Sequence, residues 1–338
     1  MYKRILVPLD GSARAERSIP VAAHIARATD GTVVLVRITT LPFTYSPYLG
    51  SATYADEAIE TDLSEVEKYL NTLAGSEPLT GINTVTKAML GSVAPEILST
   101  ANSYNIDLIV MTSQGRTGMK RWMLGSVAQK IARYSAMPVL VLHEKGPLPV
   151  GPHLDNRPLR ALVPLDGSTL AKTAIEPAAQ LVAAIAAPGQ GSLHLMRVVN
   201  PPTIAELRAA GDQRSIARLE ENKLHGAKTY LNSITDQLRD SSLADLHLSI
   251  TWSVVVAQDV AHAIIQMAEN GEDAEGAGAF GRCDLIAIAT HGRGGLQHWV
   301  LGSITERVLG ATKLPLLIVR PESAEFTRTL NSEVSNAL

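Results

Sequence analysis

One cysteine, Cys283, stands alone in 338 residues, which excludes an intrachain disulfide framework, and no Cys/His cluster has the spacing of a structural zinc site. Aromatic residues are scarce, at 4% of the chain, so aliphatic packing has to fill the cores. An excess of charge of one sign is missing too. The formal net charge of -3 leaves no basic surplus to neutralise nucleic-acid phosphates or to hold the protein on an anionic membrane, so neither is an expected partner. No apolar run approaches the roughly 18 residues of a membrane-spanning helix. Residues 1–12 (MYKRILVPLDGS) pass straight into an apolar segment and a turn, with no apolar stretch followed by a cleavage site. The cytoplasm is the expected compartment.

What is present is an ordinary globular composition, 46% hydrophobic and 19% charged, on a chain long enough for two domains. Self-similarity organises it. Residues 4–12 (RILVPLDGS) return as 160–168 (RALVPLDGS) with eight of nine letters identical. In the same order, 107–109 (DLI) return as 284–286, 115–118 (GRTG) as 292–295 (GRGG), 122–126 (WMLGS) as 299–303 (WVLGS), and 137–142 (MPVLVL) as 314–319 (LPLLIV). The copies lie 156 residues apart at Arg4 and Arg160 but 177 apart at Gly115 and Gly292, so the second carries 21 extra residues between those points. Part of that insertion is the stretch 270–281 (NGEDAEGAGAFG), which has no hydrophobic period and reads as a flexible surface loop. Residues 145–158 (KGPLPVGPHLDNRP) have the Pro and Gly content of a linker. The expected organisation is a first domain over 1–144, a linker over 145–158, a second domain over 159–321 and a polar tail over 322–338.

Within the first copy, the apolar run 5–9 ends in Asp10, Gly11 and Ser12, and Ser12 is placed to cap an amphipathic helix over 13–28. Ser168 holds the same place in the second copy. Residues 32–38 (TVVLVRI) are β-branched and almost continuously apolar, as in a strand covered on both faces. A charged, water-facing helix near 57–73 follows. After it come a weaker strand over 82–87, a helix over 93–103 capped by Ser92, a strand over 107–112, a helix near 122–134 and a last strand over 138–143. Such alternation demands parallel pairing, with right-handed crossovers laying helices on both faces. The predicted fold is α/β: two tandem doubly wound domains, each an open five-stranded parallel sheet of order 3-2-1-4-5. Ligands bind these sheets beyond the carboxyl ends of the strands, where the order reverses, so the residues after the first and fourth strands are the candidates.

Those residues are the repeated motifs. After the fourth strand the first copy has Gly115, nine residues, then Gly125 and Ser126; the second has Gly292, nine residues, then Gly302 and Ser303. Glycine lets backbone approach an anion with no side chain in the way. Near the amino end of a helix, unpaired N–H groups and the helix dipole favour phosphate. Arg116 or Arg293 adds charge from the rim. Asp10 and Asp166, at the end of the first strand, can accept hydrogen bonds from a ribose hydroxyl or a base amine, and they would repel phosphate, which points them toward a nucleoside. Ile38 and Val198, closing the second strand, offer main-chain polar groups and an apolar wall to adenine. Arg37 and Arg197 beside them are either solvated strand-end charges or contacts for phosphate or a partner. Trp122 and Trp299 read as core or interface. His291, whose counterpart is Gln114, reads as cleft wall rather than as a shared base.

A V-P-L-D-G-S turn after a first strand, with G-x9-G-S before a last helix, resembles the universal stress protein family, and the likeness spans both copies. In the ATP-binding branch of that family the motif is G-x2-G-x9-G-S/T; its leading glycine is Thr112 here and Ala289 in the second copy. The resemblance implies one ATP site lined by Asp10, Ile38, Gly115, Gly125, Ser126 and Val127, and another lined by Asp166, Val198, Gly292, Gly302, Ser303 and Ile304. ADP and AMP are the other candidate ligands, and Mg2+ would arrive on the phosphates. ATP-dependent regulation of stress survival through a protein partner is implied as well, as are dimers made by antiparallel pairing of last strands. Residues 139–142 and 316–319 are placed either to pair within this chain, as a built-in pseudo-dimer, or to recruit a second chain into a homodimer.

Three classes of function fit these residues. The leading one is a nucleotide-binding regulatory protein with little or no turnover, because the chain lacks the G-x4-G-K-S/T loop of P-loop ATPases. An adenylating enzyme on the same scaffold is the second, although neither an S-G-G-x-D-S loop nor an H-x-G-H motif is present. A pure interaction module, with glycines that serve only turns, is the third.

Overall fold

The computed structural model describes residues 1–40, 52–113, 125–150, 158–271, 281–290 and 301–321. In the first copy the order is β1 (Arg4–Pro8), α1 (Ala13–Glu16), α2 (Ser18–Thr29), β2 (Thr32–Thr39), α3 (Ala52–Ala74), β3 (Asn83–Leu90), α4 (Val93–Ser103), β4 (Leu108–Thr112), α5 (Ser126–Tyr134) and β5 (Val139–Leu142). The second copy runs β6 (Leu159–Pro164), α6 (Thr169–Lys172), α7 (Ile175–Ala186), β7 (Gly191–Val199), α8 (Ile204–Ala210), α9 (Gln213–Arg239), β8 (Ser249–Val256), α10 (Val260–Asn270), β9 (Leu285–Ala289), α11 (Ser303–Ala311) and β10 (Leu316–Val319). Residues 272–280 of the expected insertion loop lie outside the described residues.

Each copy has the expected strand order, and the two join as one ten-stranded sheet, β3-β2-β1-β4-β5-β10-β9-β6-β7-β8. Every neighbouring pair is parallel except the central one, where β5 and β10 run antiparallel with Leu140 opposite Leu317. Of the two arrangements open to the last strands, the chain takes the intrachain one. Near-continuous apolar strands are explained by what covers them. Ile5, Val7, Val33 and Leu35 pack toward α2 and α3, and the equivalent residues of the second copy continue that layer toward α7 and α9. On the opposite face Leu6, Val34 and Val36 pack toward α4 and α5, in a layer shared with α10 and α11. Both hydrophobic layers therefore cross the seam between the copies. Across it, the Tyr2 hydroxyl donates to the carbonyl of Pro177 at 2.9 Å and His24 Nε2 bonds the carbonyl of Ile185 at 2.8 Å.

The single helix expected over 13–28 is broken at Arg17. Pro20 has no N–H to give the carbonyl four residues earlier, and its ring crowds that carbonyl, so the first turn cannot run into the longer helix. Pro177 produces the same break between α6 and α7. The repeated Asp107 and Asp284 are register clamps. Asp107 Oδ2 accepts the N–H groups of Lys3 and Arg4, both at 2.8 Å, and Asp284 Oδ2 accepts that of Arg160 at 2.8 Å, which fastens the start of the first strand to the start of the fourth.

Candidate functional site

At the carboxyl end of β1 the chain turns through Gly11, whose φ of +82° is in the left-handed region that favours glycine; Gly167 repeats it at +87°. The turn is tied by its own side chains. Asp10 Oδ1 accepts from the Ser12 N–H at 3.0 Å and its hydroxyl at 2.6 Å, and the Ser12 hydroxyl oxygen caps the next helix by accepting from the Ala15 N–H at 3.2 Å. Asp166, Ser168 and Ala171 repeat these bonds at 2.8, 2.6 and 3.1 Å. Both serines are structural caps, and one oxygen of each strand-end carboxylate is engaged by its own turn.

Across the switch point, α5 starts where the N–H of Gly125 donates to the carbonyl of Ser113 at 2.7 Å. Gly302 makes the same bond to Thr290 at 2.8 Å. A Cβ on Gly302 would lie 2.6 Å from that carbonyl oxygen, so glycine is required there by close backbone approach alone. The glycine amides thus face the strand, and the donors left without an intrahelical acceptor belong to the next three residues. The first intrahelical bonds are Gln129 to Gly125 and Glu306 to Gly302, both at 2.9 Å, which leaves Ser126, Val127 and Ala128 at one helix start and Ser303, Ile304 and Thr305 at the other.

These parts enclose a cleft of about 680 Å³ in the first copy and one of about 410 Å³ in the second, both in the range of small-molecule sites. Asp10, Ile38, Gly125, Ser126 and Val127 all line the first; Asp166, Val198, Gly302, Ser303 and Ile304 all line the second. The remaining two candidates, Gly115 and Gly292, lie outside the described residues, as do Arg116, Arg293, Trp122, Trp299, Gln114 and His291. Val93 and Ile97 of α4 supply an apolar wall, matched by Val260 and Ile264 of α10. Among the described residues no group of three or more His, Cys, Asp or Glu side chains is gathered to hold a metal.

Sequence reasoning missed the tyrosine beside each cleft. Arg37, on the cleft wall, lies 4.9 Å from the centroid of the Tyr69 ring, and its guanidinium covers Gly11. Arg197 lies 4.9 Å from the centroid of Tyr230. The Tyr69 hydroxyl donates to Glu16 at 2.8 Å; burial first, then that hydrogen bond and the charge of Glu16, hold its pKa well above the ordinary phenol value. The signal was a short repeat, YLN at 69–71 and again at 230–232, inside helices whose charge drew attention to their outer faces.

Two alike clefts at the switch points of a continuous sheet define a tandem doubly wound protein with one candidate ligand site per repeat. The chain belongs to the universal stress protein family, whose model matches residues 1–143 and 159–320. Single-domain relatives align with one copy. A universal stress protein of Methanocaldococcus jannaschii is 32% identical over 143 residues, 42% of this chain and 82% of its own length. One of Thermus aquaticus is 33% identical over 146 residues, 42% of this chain and 99% of its own. The tandem fold is seen whole in the crystal structure of a universal stress protein from Archaeoglobus fulgidus, with a TM-score of 0.55 at 20% identity, covering 95% of this chain and 97% of that one.

Proposed function

We propose that this chain is an adenine-nucleotide-binding regulatory protein of the stress response, with one site in each repeat and little or no turnover. The reading rests on one observation: in both clefts three helix-start N–H groups without intrahelical acceptors stand across the strand switch from a strand-end aspartate. Helix-start amides and the positive end of the dipole suit a phosphate chain. The aspartate and the second-strand residues Ile38 and Val198 suit a ribose and a base. ATP is the ligand of choice, ADP and AMP share its recognised parts, and Mg2+ would be carried by the phosphates. In this reading the repeats are 1–144 and 159–321, joined by 145–158, and act as one pseudo-dimer in the cytoplasm.

Ser126→Asp and Ser303→Asp test the placement without disturbing the glycines. Both serines are exposed first residues of helices, where an acid adds about 0.3–1 kcal/mol of helix stability through the dipole but puts a carboxylate against the phosphates. Calorimetric titration with ATP should count two sites in the wild type and one in each variant, with melting temperatures unchanged or raised. Two sites of wild-type affinity in both variants would defeat the proposal. Failure of the wild type to bind any adenine nucleotide would favour the interaction module.

A further inference from the structure

The two clefts differ in the polar side chain that follows their second strand. It is Thr40 at the first and Asn200 at the second, each lining its cleft two residues beyond the apolar wall residue, Ile38 or Val198. Alternate residues of an extended segment face the same side, so Asn200 stands at the end of the cleft where that wall suits a base. Val260 and Ile264 line the same cleft, and in such apolar surroundings a few placed polar groups fix a ligand's orientation. The Asn200 carboxamide is exposed and makes no hydrogen bond to another described residue. Its main chain is fixed on both sides. The Val199 carbonyl accepts from the Ala257 N–H at 3.1 Å, Pro201 and Pro202 lock their own φ angles, and α8 begins directly after them at the capping box of Thr203 and Glu206. No residue of α8 is buried; Glu206 instead ties it to α9 through Lys223 at 2.9 Å. The helix therefore anchors the segment that carries Asn200.

We propose that Asn200 is the base-reading residue of the second cleft, its carboxamide taking the amino edge of adenine. A carboxamide sets an acceptor and a donor side by side, and adenine offers the match: the 6-amino group donates while the neighbouring N1 or N7 accepts. The hydroxyl of Thr40 has a single oxygen and cannot span both positions. A base without the amino group leaves the Asn200 carbonyl oxygen facing a C–H, and that lost partner is what discriminates. The inference rests on the nucleotide reading above and adds to it which group reads the base and in which repeat.

The test compares ATP with purine riboside 5′-triphosphate, the same nucleotide without its 6-amino group, in the full chain with the first cleft blocked by Ser126→Asp. Affinities are measured by calorimetry, and their ratio is the readout. The second cleft should favour ATP by on the order of tenfold. Asn200→Leu should bring the ratio close to one by weakening ATP while leaving the analogue's affinity unchanged, and Asn200→Gln, which keeps the carboxamide, should retain part of the preference. Because the residue is exposed, both variants should melt like the wild type. A ratio that Asn200→Leu does not move, or an equal loss of affinity for both nucleotides, overturns this inference and leaves the nucleotide reading standing. Absence of nucleotide binding in the wild-type chain overturns both.

Discussion

His194 shows how far one residue can depart from its repeat partner inside an otherwise shared fold. Its place in the first copy is held by Val34, since the two are paired with equivalent residues of the neighbouring strands, Leu162 and Leu6. The His194 ring is fully buried and bonds the Thr251 hydroxyl at 2.9 Å and the Ser253 hydroxyl at 2.8 Å. Burial, with a smaller effect from the Arg160 charge, lowers its pKa from 6.5 to about 3. Because the folded state resists a proton that the unfolded chain accepts, stability from the neutral ring is complete above about 6.5 and is lost as pH falls toward about 3, at about 1.4 kcal/mol per pH unit. His194→Gln keeps a hydrogen-bonding group and removes the titration. Urea denaturation at neutral pH and at pH values within that window should show a shallower loss for the variant than for the wild type. His143, whose pKa burial also lowers, remains in both proteins and cancels in the comparison. Parallel slopes would rule out His194 as a source of acid sensitivity.

At the scale of elements, the repeat made the parallel sheets and the candidate turns readable, because strand period, turn glycines and helix caps each leave a local mark. The helix break at Arg17 was equally local: Pro20 and Pro177 stood in view, but the amphipathic period across them suggested one helix. Harder to read was the purpose of a repeated residue. Asp10 and Asp107 both recur, yet one lines a cleft and the other clamps a strand start, and only the fold distinguishes them. Gly302 likewise is demanded by the Thr290 carbonyl before any ligand is considered. The clamp role carries its own prediction. Asp284→Ala removes the acceptor of the partly buried Arg160 N–H, a loss of roughly 1–3 kcal/mol, and should lower thermal stability without changing nucleotide affinity measured well below the transition. A variant that loses affinity while melting like the wild type would move Asp284 from scaffold to site.

On the scale of the whole molecule, the antiparallel pairing of β5 with β10 decides how the two repeats share stability. Leu140, Leu317 and their neighbours at the seam are fully buried, and the hydrophobic layers on both faces continue from one copy into the other. Arg17 adds hydrogen bonds to the carbonyls of Glu144 and Gly146, and Arg14 pairs with the Glu144 carboxylate at 3.0 Å, holding the start of the connecting segment against the first repeat. A repeat that unfolded alone would expose the other's last strand and both cut layers, so partial unfolding forfeits the seam as well as that repeat's own core. Calorimetry should accordingly show one transition whose van't Hoff and calorimetric enthalpies agree. Leu317→Ala, which empties a fully buried seam position at a cost of about 2–5 kcal/mol, should move that single transition to lower temperature. Two resolved transitions in the wild type, or a variant in which only half of the unfolding heat shifts, would mean that the seam joins two independently stable units.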